Sequence, residues 1–504
     1  MKKLLVLIVF NLCMITSHAQ FTNLNWTFGD SCGIKFNATG IDSIYRTSVN
    51  ARGSCATISD SIGNLLFYAA SPDLTLYQTT TTINRGRIYN RQHAKMENGD
   101  SVATVSWYRE LLILPWPDSA NKFVVIASMA SSGEQISYSV VDLSYNNGLG
   151  KVFNKNTLLD TGNISDGITA IKHGNGRDWW ILYKKWFYTN NTIYKILLTP
   201  SGLSSISTQT IGVPSYVGGF YRLIPSKSGE FIIGINPGEG TLEKFSFDRC
   251  TGNLYNHSIL YNGSFPPAER FWDGAISPND RFLYVTTAYT PEYLYQIDLL
   301  NPNPFQNKII LDSIDTLDNN AFSAIRLAPN GKIYRSHWYC QSGWNCYPFL
   351  NLFFVPVNTH LSVINNPDSL GLACSFVGLG QYLNGYRTYL GLPNDVNLAL
   401  GPLSGSVCDT LSVGLGEIKD DIPIQVFPNP STETFTVNIK YEVIPNEGFP
   451  YCIYSLQGQL ILKGVLRGRS STINLSAVES GMYLLNVILP KEVLQIKLSI
   501  CERK

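Results

Sequence analysis

Outside the first nineteen residues the chain carries five histidines: His93, His173, His257, His337 and His360. None is paired at i, i+4 or placed in H-E-x-x-H, the spacing that sets two imidazoles on one helical face for zinc. A G-x-S-x-G elbow, a P-loop, a dinucleotide fingerprint and a sialidase Asp box, S-x-D-x-G-x-T-W, are all missing from the sequence. The cysteines show no C-x-x-C spacing, so the common zinc frameworks are excluded as well. Three carboxylates gather in DSIDTLDNN (Asp312 to Asn320), an oxygen-rich stretch that calcium would accept. That stretch lacks the glycine-bearing turn of an EF-hand, and a solvated loop accounts for it better. The sequence therefore assigns no catalytic residue, no metal ligand and no cofactor.

What remains is recognition chemistry. ERFWDG (Glu269 to Gly274) combines an acid, a guanidinium and aromatic faces, and HWYCQSGWNC places Trp338, Tyr339 and Trp344 in one loop. Such faces stack on sugars or anchor protein interfaces. The expected binding rim is Trp338, Tyr339, Trp344, Arg270 and Trp272. For any single tryptophan, including Trp179 and Trp180 of DWWIL, packing in the core or between repeats is the competing and better-supported reading. A disulfide between Cys340 and Cys346 would stiffen the aromatic loop; Cys32 with Cys55 is a second candidate pair. A glycosidase pair of carboxylates about 5–10 Å apart would have to come from distant segments. Convergence of acids from several repeats on one axial point would separate an enzyme from a binder.

These residues need elements to carry them, and the ends of the chain say where it is delivered. Met1-Lys2-Lys3, an apolar run from Leu4 to Ile15 and Ser17-His18-Ala19 read as a signal peptide over residues 1–19. The run is too short for a membrane span, and no later stretch reaches the length of a transmembrane helix. Only 15% of residues are charged and the net charge is +1, which leaves no basic footprint for nucleic acid. Ten cysteines become nine without Cys13, an odd number in a compartment that permits disulfides.

Between the ends, one unit recurs: an apolar strand, a turn rich in Pro, Asn, Asp or Gly, and a second apolar strand. GAISPNDRFLYVTT, IRLAPNGKIYRS and RLIPSKSGEFIIG are its clearest copies. The second strands are expected to begin at Leu65, Phe123, Trp179, Phe231, Phe282 and Ile333, a period of 51–58 residues. Three units add a strand closing on Asp142, Asp248 or Asp298, whose carboxylate can bond its own backbone two residues on. Each unit has room for four short strands, the signature of a β-propeller. The expected fold is all-β: a propeller over residues 20–400, then a linker at 401–417 and a small β-sandwich at 418–504. Six units are visible. Seven blades are expected nonetheless, the seventh closed between NWTFGDSCGIKFN and YRTYLGLPNDVNLAL; six blades with long connections is the alternative.

The last segment reads VFPNPSTETFTVNI, then IYSLQGQLI, INLSAVESGMYLLNVI and QIKLSI. In that order these resemble the type A C-terminal sorting domain of the Bacteroidetes type IX secretion system. Pro428, Asn429, Pro430, Gly458, Gly481, Tyr483 and Lys497 match the family pattern. The resemblance implies passage through the periplasm, recognition by type IX secretion machinery, removal of the tail, and release or attachment to surface lipopolysaccharide. The propeller resembles secreted Bacteroidetes proteins that share this tail, with GLPNDVNL among the common landmarks, and that family supplies no settled activity. Two functions follow as expectations. The first is an exported, secreted or outer-membrane-surface module binding glycan or protein; the alternative is a hydrolase, lyase or lactonase with its active site in the funnel.

Overall fold

The computed structural model describes residues 21–71, 86–105, 108–130, 134–186, 191–214, 220–263, 269–288, 291–314, 324–337 and 354–409 of a first compact unit. Of a second it describes 424–439, 445, 447–455, 459–489 and 493–501. The expected signal peptide, the loop holding Trp338, Tyr339, Cys340, Trp344 and Cys346, and Gly458 lie outside these residues. The units divide at Ser412/Val413.

The described residues of the first unit form seven antiparallel sheets, the blades of a propeller. Blade 1 holds Cys55–Ser59, Leu65–Ala70 and Arg87–Asn90; blade 2 runs from Leu111–Pro115 through Lys122–Met129 and Gln135–Asp142 to Lys151–Thr161. Blade 3 is built on Thr169–Lys172, Trp179–Lys184 and Thr192–Thr199, with Gly202–Leu203 and Ser207–Thr210 on its outer edge. Blade 4 spans Arg222–Pro225 to Leu254–Asn262, blade 5 Phe271–Ile276 to Ile309–Ile314, and blade 6 Ile325–Leu327 to Phe376–Tyr382. Blade 7 pairs Asn25–Phe36 with Ile41–Ala51. Trp26, Phe28, Ile34 and Phe36 of that first strand pack in one cluster with Cys55 of blade 1 and with Tyr334, Leu361 and Val363 of blade 6. The N-terminal hairpin thus closes the ring between the last repeat and the first.

The turn joining the first and second strands of each repeat explains the sequence period. A left-handed residue recurs at its tip: Gly63, Asp118, Gly176, Gly229, Asp280 and Gly331, with φ from 60° to 82°. Glycine takes that conformation without a Cβ penalty, and Asp tolerates it better than most residues. Five of the six expected second strands start on the expected residue, and the sixth starts one earlier, at Lys122. The aspartates behave as their positions imply. The backbone N–H groups of Ser144, Cys250 and Leu300 donate to Asp142, Asp248 and Asp298 at 2.9, 2.8 and 3.1 Å.

YRTYLGLPNDVNLAL departs from the expected closing strand. Arg387 alone bridges Asp30 in blade 7, by a backbone pair and an Arg387 Nε–Asp30 carboxylate contact of 2.8 Å. Beyond it the chain crosses the axis as a strap. The N–H groups of Leu390 and Gly391 donate to the Arg52 carbonyl, and a Cβ on Gly391 would lie 1.8 Å from the Gly53 carbonyl oxygen. Asn394 explains why the strap stays on the axis. Its N–H donates to Cys55 of blade 1, and its amide donates to the carbonyls of Leu111 (3.1 Å) and Ile168 (3.0 Å). One side chain thereby serves the inner ends of blades 2 and 3, whose carbonyls face the axis.

Residues 401–409, expected as the start of the linker, are fastened to the propeller instead. Leu403 N–H donates to Gly174, Arg249 reaches the Gly401 carbonyl, and Cys408 is disulfide-bonded to Cys250. Cys32 and Cys55, the second candidate pair, are separate buried thiols.

The second unit is a sandwich of two sheets. Ile424–Phe427, Thr434–Ile439 and Ser470–Asn474 face Leu460–Leu466, Phe449–Ser455, Gly481–Ile488 and Val493–Ile500 over a shared core that includes Phe435, Val437, Ile453, Leu485 and Leu498. Alternation along each strand supplies the inner face.

Candidate functional site

The first strand of each blade brings its leading residues to the axis, and charge converges there from five segments. Arg109 precedes blade 2 and donates to Asp273 of blade 5 at 2.9 Å; Arg326 of blade 6 donates to the other oxygen of the same carboxylate. Arg222 of blade 4 forks onto both oxygens of Asp166, which precedes blade 3, at 3.2 Å each. The Arg222 and Asp166 side chains are both 0% exposed. The Arg222 guanidinium also lies against three rings, 4.7 Å from the centre of Trp272, 5.2 Å from Tyr108 and 5.9 Å from Phe220. Planar, weakly hydrated guanidinium suits such a dry, stacked position where ammonium would not.

The electrostatics separate the acids. Burial alone would raise Asp273, but Arg109 and Arg326, with Arg222 behind them, outweigh it and hold the carboxyl below its ordinary range. For Asp166 burial, helped by the nearby Asp273 charge, wins over Arg222, the Tyr221 N–H and Arg109, and the carboxyl is raised to about 6. Arg109 is lowered to about 9, first by burial and then by the neighbouring Arg326 charge. Asp395 of the strap is raised to about 7 by burial. The Trp26 indole N–H, the Arg326 charge and the Thr57 N–H pull in the opposite direction. Neither Asp395 oxygen is in hydrogen-bonding geometry, and both are buried.

A cavity of about 410 Å³ lies where the first strands meet the strap. The buried Arg109 and Arg326, the half-buried Asp395 and the exposed Lys227 line it, and Ile171, Ile224, Ile276, Val396 and Leu398 form apolar wall. Lys172 donates to the Leu398 carbonyl at 2.9 Å, and burial beside Arg249 lowers it to about 8.

Several expected site residues fall elsewhere. Trp272 is buried, edge-on to Tyr108, and lies inside the ring. Arg270 is half-buried just before the blade 5 strand. Trp179 and Trp180 are core residues. His173 bonds the Cys250 carbonyl within its turn, and Asp312 of the acidic stretch pairs with Arg335 at 2.8 Å. Among the described residues no group of three His, Cys, Asp or Glu is arranged to hold a metal. Reading from sequence missed Arg109, Asp166, Arg222, Arg326 and Asp395. A signal for most of them was present: YRELLIL, SDGITAIK, YRLIP and IRLAP each put a charge at the leading end of an apolar first strand.

In the tail, Asn429 joins the opening motif to the last strand. Its amide donates to the Lys497 carbonyl at 2.6 Å, and Ser499 N–H donates to its oxygen at 2.9 Å. Tyr483 is buried with its hydroxyl donating to the Glu479 carbonyl, while Pro428, Pro430 and Lys497 are exposed. Gly481 opens a strand at φ 157°, and a Cβ there would meet only the Tyr483 ring, at 3.7 Å.

Residues 425–500 match the secretion system C-terminal sorting domain. The tail is therefore a type IX sorting domain, which directs the chain to export and to the cell surface or the medium. No curated protein matches the chain. Among solved structures, a Lactobacillus plantarum protein is similar at TM-score 0.43 and 12% identity, over 74% of this chain and 98% of its own. A candidate 6-phosphogluconolactonase from Bacteroides uniformis scores 0.41 at 16% identity, over 62% and 89%. The β-propeller domain of Myceliophteria thermophila Cps50 (Swd1) scores 0.36 at 10%, over 63% and 94%. These likenesses carry no ligand or reaction to this chain, and the fold stands on its own seven sheets. Among the described residues no helix is long and apolar enough to cross a membrane.

Proposed function

We propose that the propeller is an extracellular binding module for glycan or protein, delivered by the type IX machinery through its tail and then released or held on surface lipopolysaccharide. One observation carries the preference for binding over catalysis. The acids that converge on the axis are met by guanidinium: Asp273 by Arg109 and Arg326, Asp166 by Arg222. Asp273, held below its ordinary range by its arginines, does not exchange protons with a substrate, and Asp166, although raised to about 6, is shut away from solvent with Arg222 at 0% exposure. Recognition then falls to the rim expected from the sequence, the aromatic Trp338, Tyr339 and Trp344 together with Arg270.

The second reading, a funnel hydrolase, lyase or lactonase, draws on Asp395, the one acid lining the axial cavity and raised toward neutrality. Two measurements divide the readings. The mature protein should capture a ligand from a glycan array or from crosslinked surface proteins, and a Trp338→Ala/Trp344→Ala variant should lose that capture while keeping its thermal transition. Turnover of ester, lactone or polysaccharide substrates that disappears in Asp395→Asn would reverse the preference.

A further inference from the structure

The two sheets of the tail sandwich turn unlike faces to solvent. In the three-stranded sheet the cross-strand pairs pointing away from the core are Gln425 with Asn438 and Thr436 with Thr472; Phe427 is the one large apolar exception. That is the ordinary pattern of an antiparallel sheet with one wet side. The four-stranded sheet breaks it. Tyr454 stands opposite Leu484 on one neighbouring strand and Leu460 on the other, Pro450 stands opposite Val465, and Met482 lies two residues from Leu484 on the same side of its strand. None of these six belongs to the sandwich core. Leu460, Val465 and Met482 are 47%, 43% and 43% exposed, and Tyr454 and Leu484 are half-buried. A contiguous apolar face on a domain whose opposite face is Thr, Asn and Gln marks an interaction surface.

Charge and position identify the occupant. The four strands contain no Asp or Glu, and the exposed charges on this face are Lys463, opposite Cys452, and Lys497, opposite Leu484. Their complement is a surface with an apolar floor and carboxylates at its rim. The face is also continuous with the opening motif, because the strand carrying Lys497 is the one that Asn429 binds. All of it falls within residues 425–500, the segment that matches the sorting domain. A tail whose task is delivery must be gripped by the machine that delivers it. We infer, on the reading of the tail as the export signal, that the outer face of its four-stranded sheet is where the type IX machinery takes hold. Tyr454, Leu484 and Leu460 form the dry centre of the contact, and Lys463 and Lys497 pair with acids of the machinery around it.

The test follows the full chain in a host with type IX secretion, by fractionating periplasm, surface and medium and probing the tail with protease. Leu460→Glu and Met482→Glu, both at exposed positions, should each lower delivery at least about tenfold with the tail still protease-resistant, while Leu460→Met should match the parent. Lys463→Glu with Lys497→Glu should lower it about three- to tenfold, since Asn429 uses only the backbone of that strand. Thr472→Glu, on the polar face, should stay within about twofold of the parent. Parent-level delivery of the glutamate variants would overturn the inference, as would an equal fall in Thr472→Glu. If a glutamate variant unfolds the tail, the lysine reversal decides, and its delivery at the parent level overturns the inference. A purified chain that dimerises, or that sediments with anionic phospholipid vesicles, in a manner lost in Leu460→Glu would give the face to a second copy or to lipid and overturn it too. Normal delivery after deleting Ile418 to Lys504 would instead refute the export signal itself.

Discussion

Cys408 is bonded to Cys250 across 158 residues of sequence, just inside the last residue of the propeller's compact unit, Ser412. The bond ties the end of the axial strap to the turn that follows the third strand of blade 4. The strap has by then met blades 1, 2 and 3 through Asn394, and its Asn397 amide donates to the Lys227 carbonyl at 2.7 Å. Ring closure therefore has two parts: a hairpin from the N-terminal side, and a covalently anchored strap from the C-terminal side.

Two truncations should separate export from closure. Deleting Ile418 to Lys504 removes the sorting domain and leaves the strap and its disulfide in place. Surface delivery should stop, while the purified propeller keeps its thermal transition. Deleting from Gly401 onward also removes the Leu403 contact and Cys408, and should lower stability by about 2–5 kcal/mol, the usual cost of losing a native disulfide. Cys408→Ser in the full chain should reproduce most of that loss in denaturant titrations. Identical unfolding midpoints for both truncations would show that the strap contributes nothing beyond Leu400.

The axial ion pairs should be far more sensitive to losing one partner than surface pairs are. Asp273→Ala leaves Arg109 and Arg326 facing each other in a buried site without an anion, and should cost about 3–5 kcal/mol. Arg281, by contrast, pairs with Asp298 on the surface, its own side chain 43% exposed. Arg281→Ala should cost at most about 1 kcal/mol. Urea denaturation of both variants compares them directly. Equal losses would place the axial network among ordinary surface charges.

Much of this was legible because it is local. The turn between first and second strands requires one left-handed residue, so Asn, Asp and Gly recur at it and betray the period. The strand-ending aspartates act on residues two positions away, and the tail motif is a contiguous run. The axial site is different in kind. Asp273 meets Arg109 across 164 residues and Arg222 meets Asp166 across 56, pairings that only the ring brings together. The Cys250–Cys408 disulfide escaped the sequence for the same reason, since the two cysteines become neighbours only once the strap has crossed the axis. Cys32 and Cys55 share a core cluster and remain thiols, pushed up in pKa first by burial.

Asp395 should leave a signature in the pH dependence of stability. Its native pKa of about 7 lies above the ordinary carboxyl value near 3.9. Between those values the folded state holds a proton that the unfolded chain has released, so this group's contribution declines as pH rises from about 4 to 7. Asp395→Asn cannot ionise and should escape the decline. The variant should gain on the parent as pH rises, by an amount on the order of 2–4 kcal/mol at pH 8. Parallel stability curves between pH 5 and 8 would mean that the carboxyl is not buried as described.

In the tail, Asn429 and Tyr483 should both be needed for export, but through different losses. Tyr483 is buried among the apolar residues of the sandwich, and truncating a buried aromatic typically costs about 3–5 kcal/mol. In a small domain that is enough to unfold it, so Tyr483→Ala should stall export and leave the tail sensitive to protease. Asn429 is exposed, and its two bonds to the last strand are worth about 1–3 kcal/mol together. Asn429→Ala should leave the sandwich folded while freeing the opening motif from the strand that carries Lys497. If the secretion machinery reads that joined edge, export falls with the tail still protease-resistant. Full export of Asn429→Ala beside failed export of Tyr483→Ala would mean that only the folded state of the domain is read. A fractionation of periplasm, surface and medium, with limited proteolysis of each variant, decides between them.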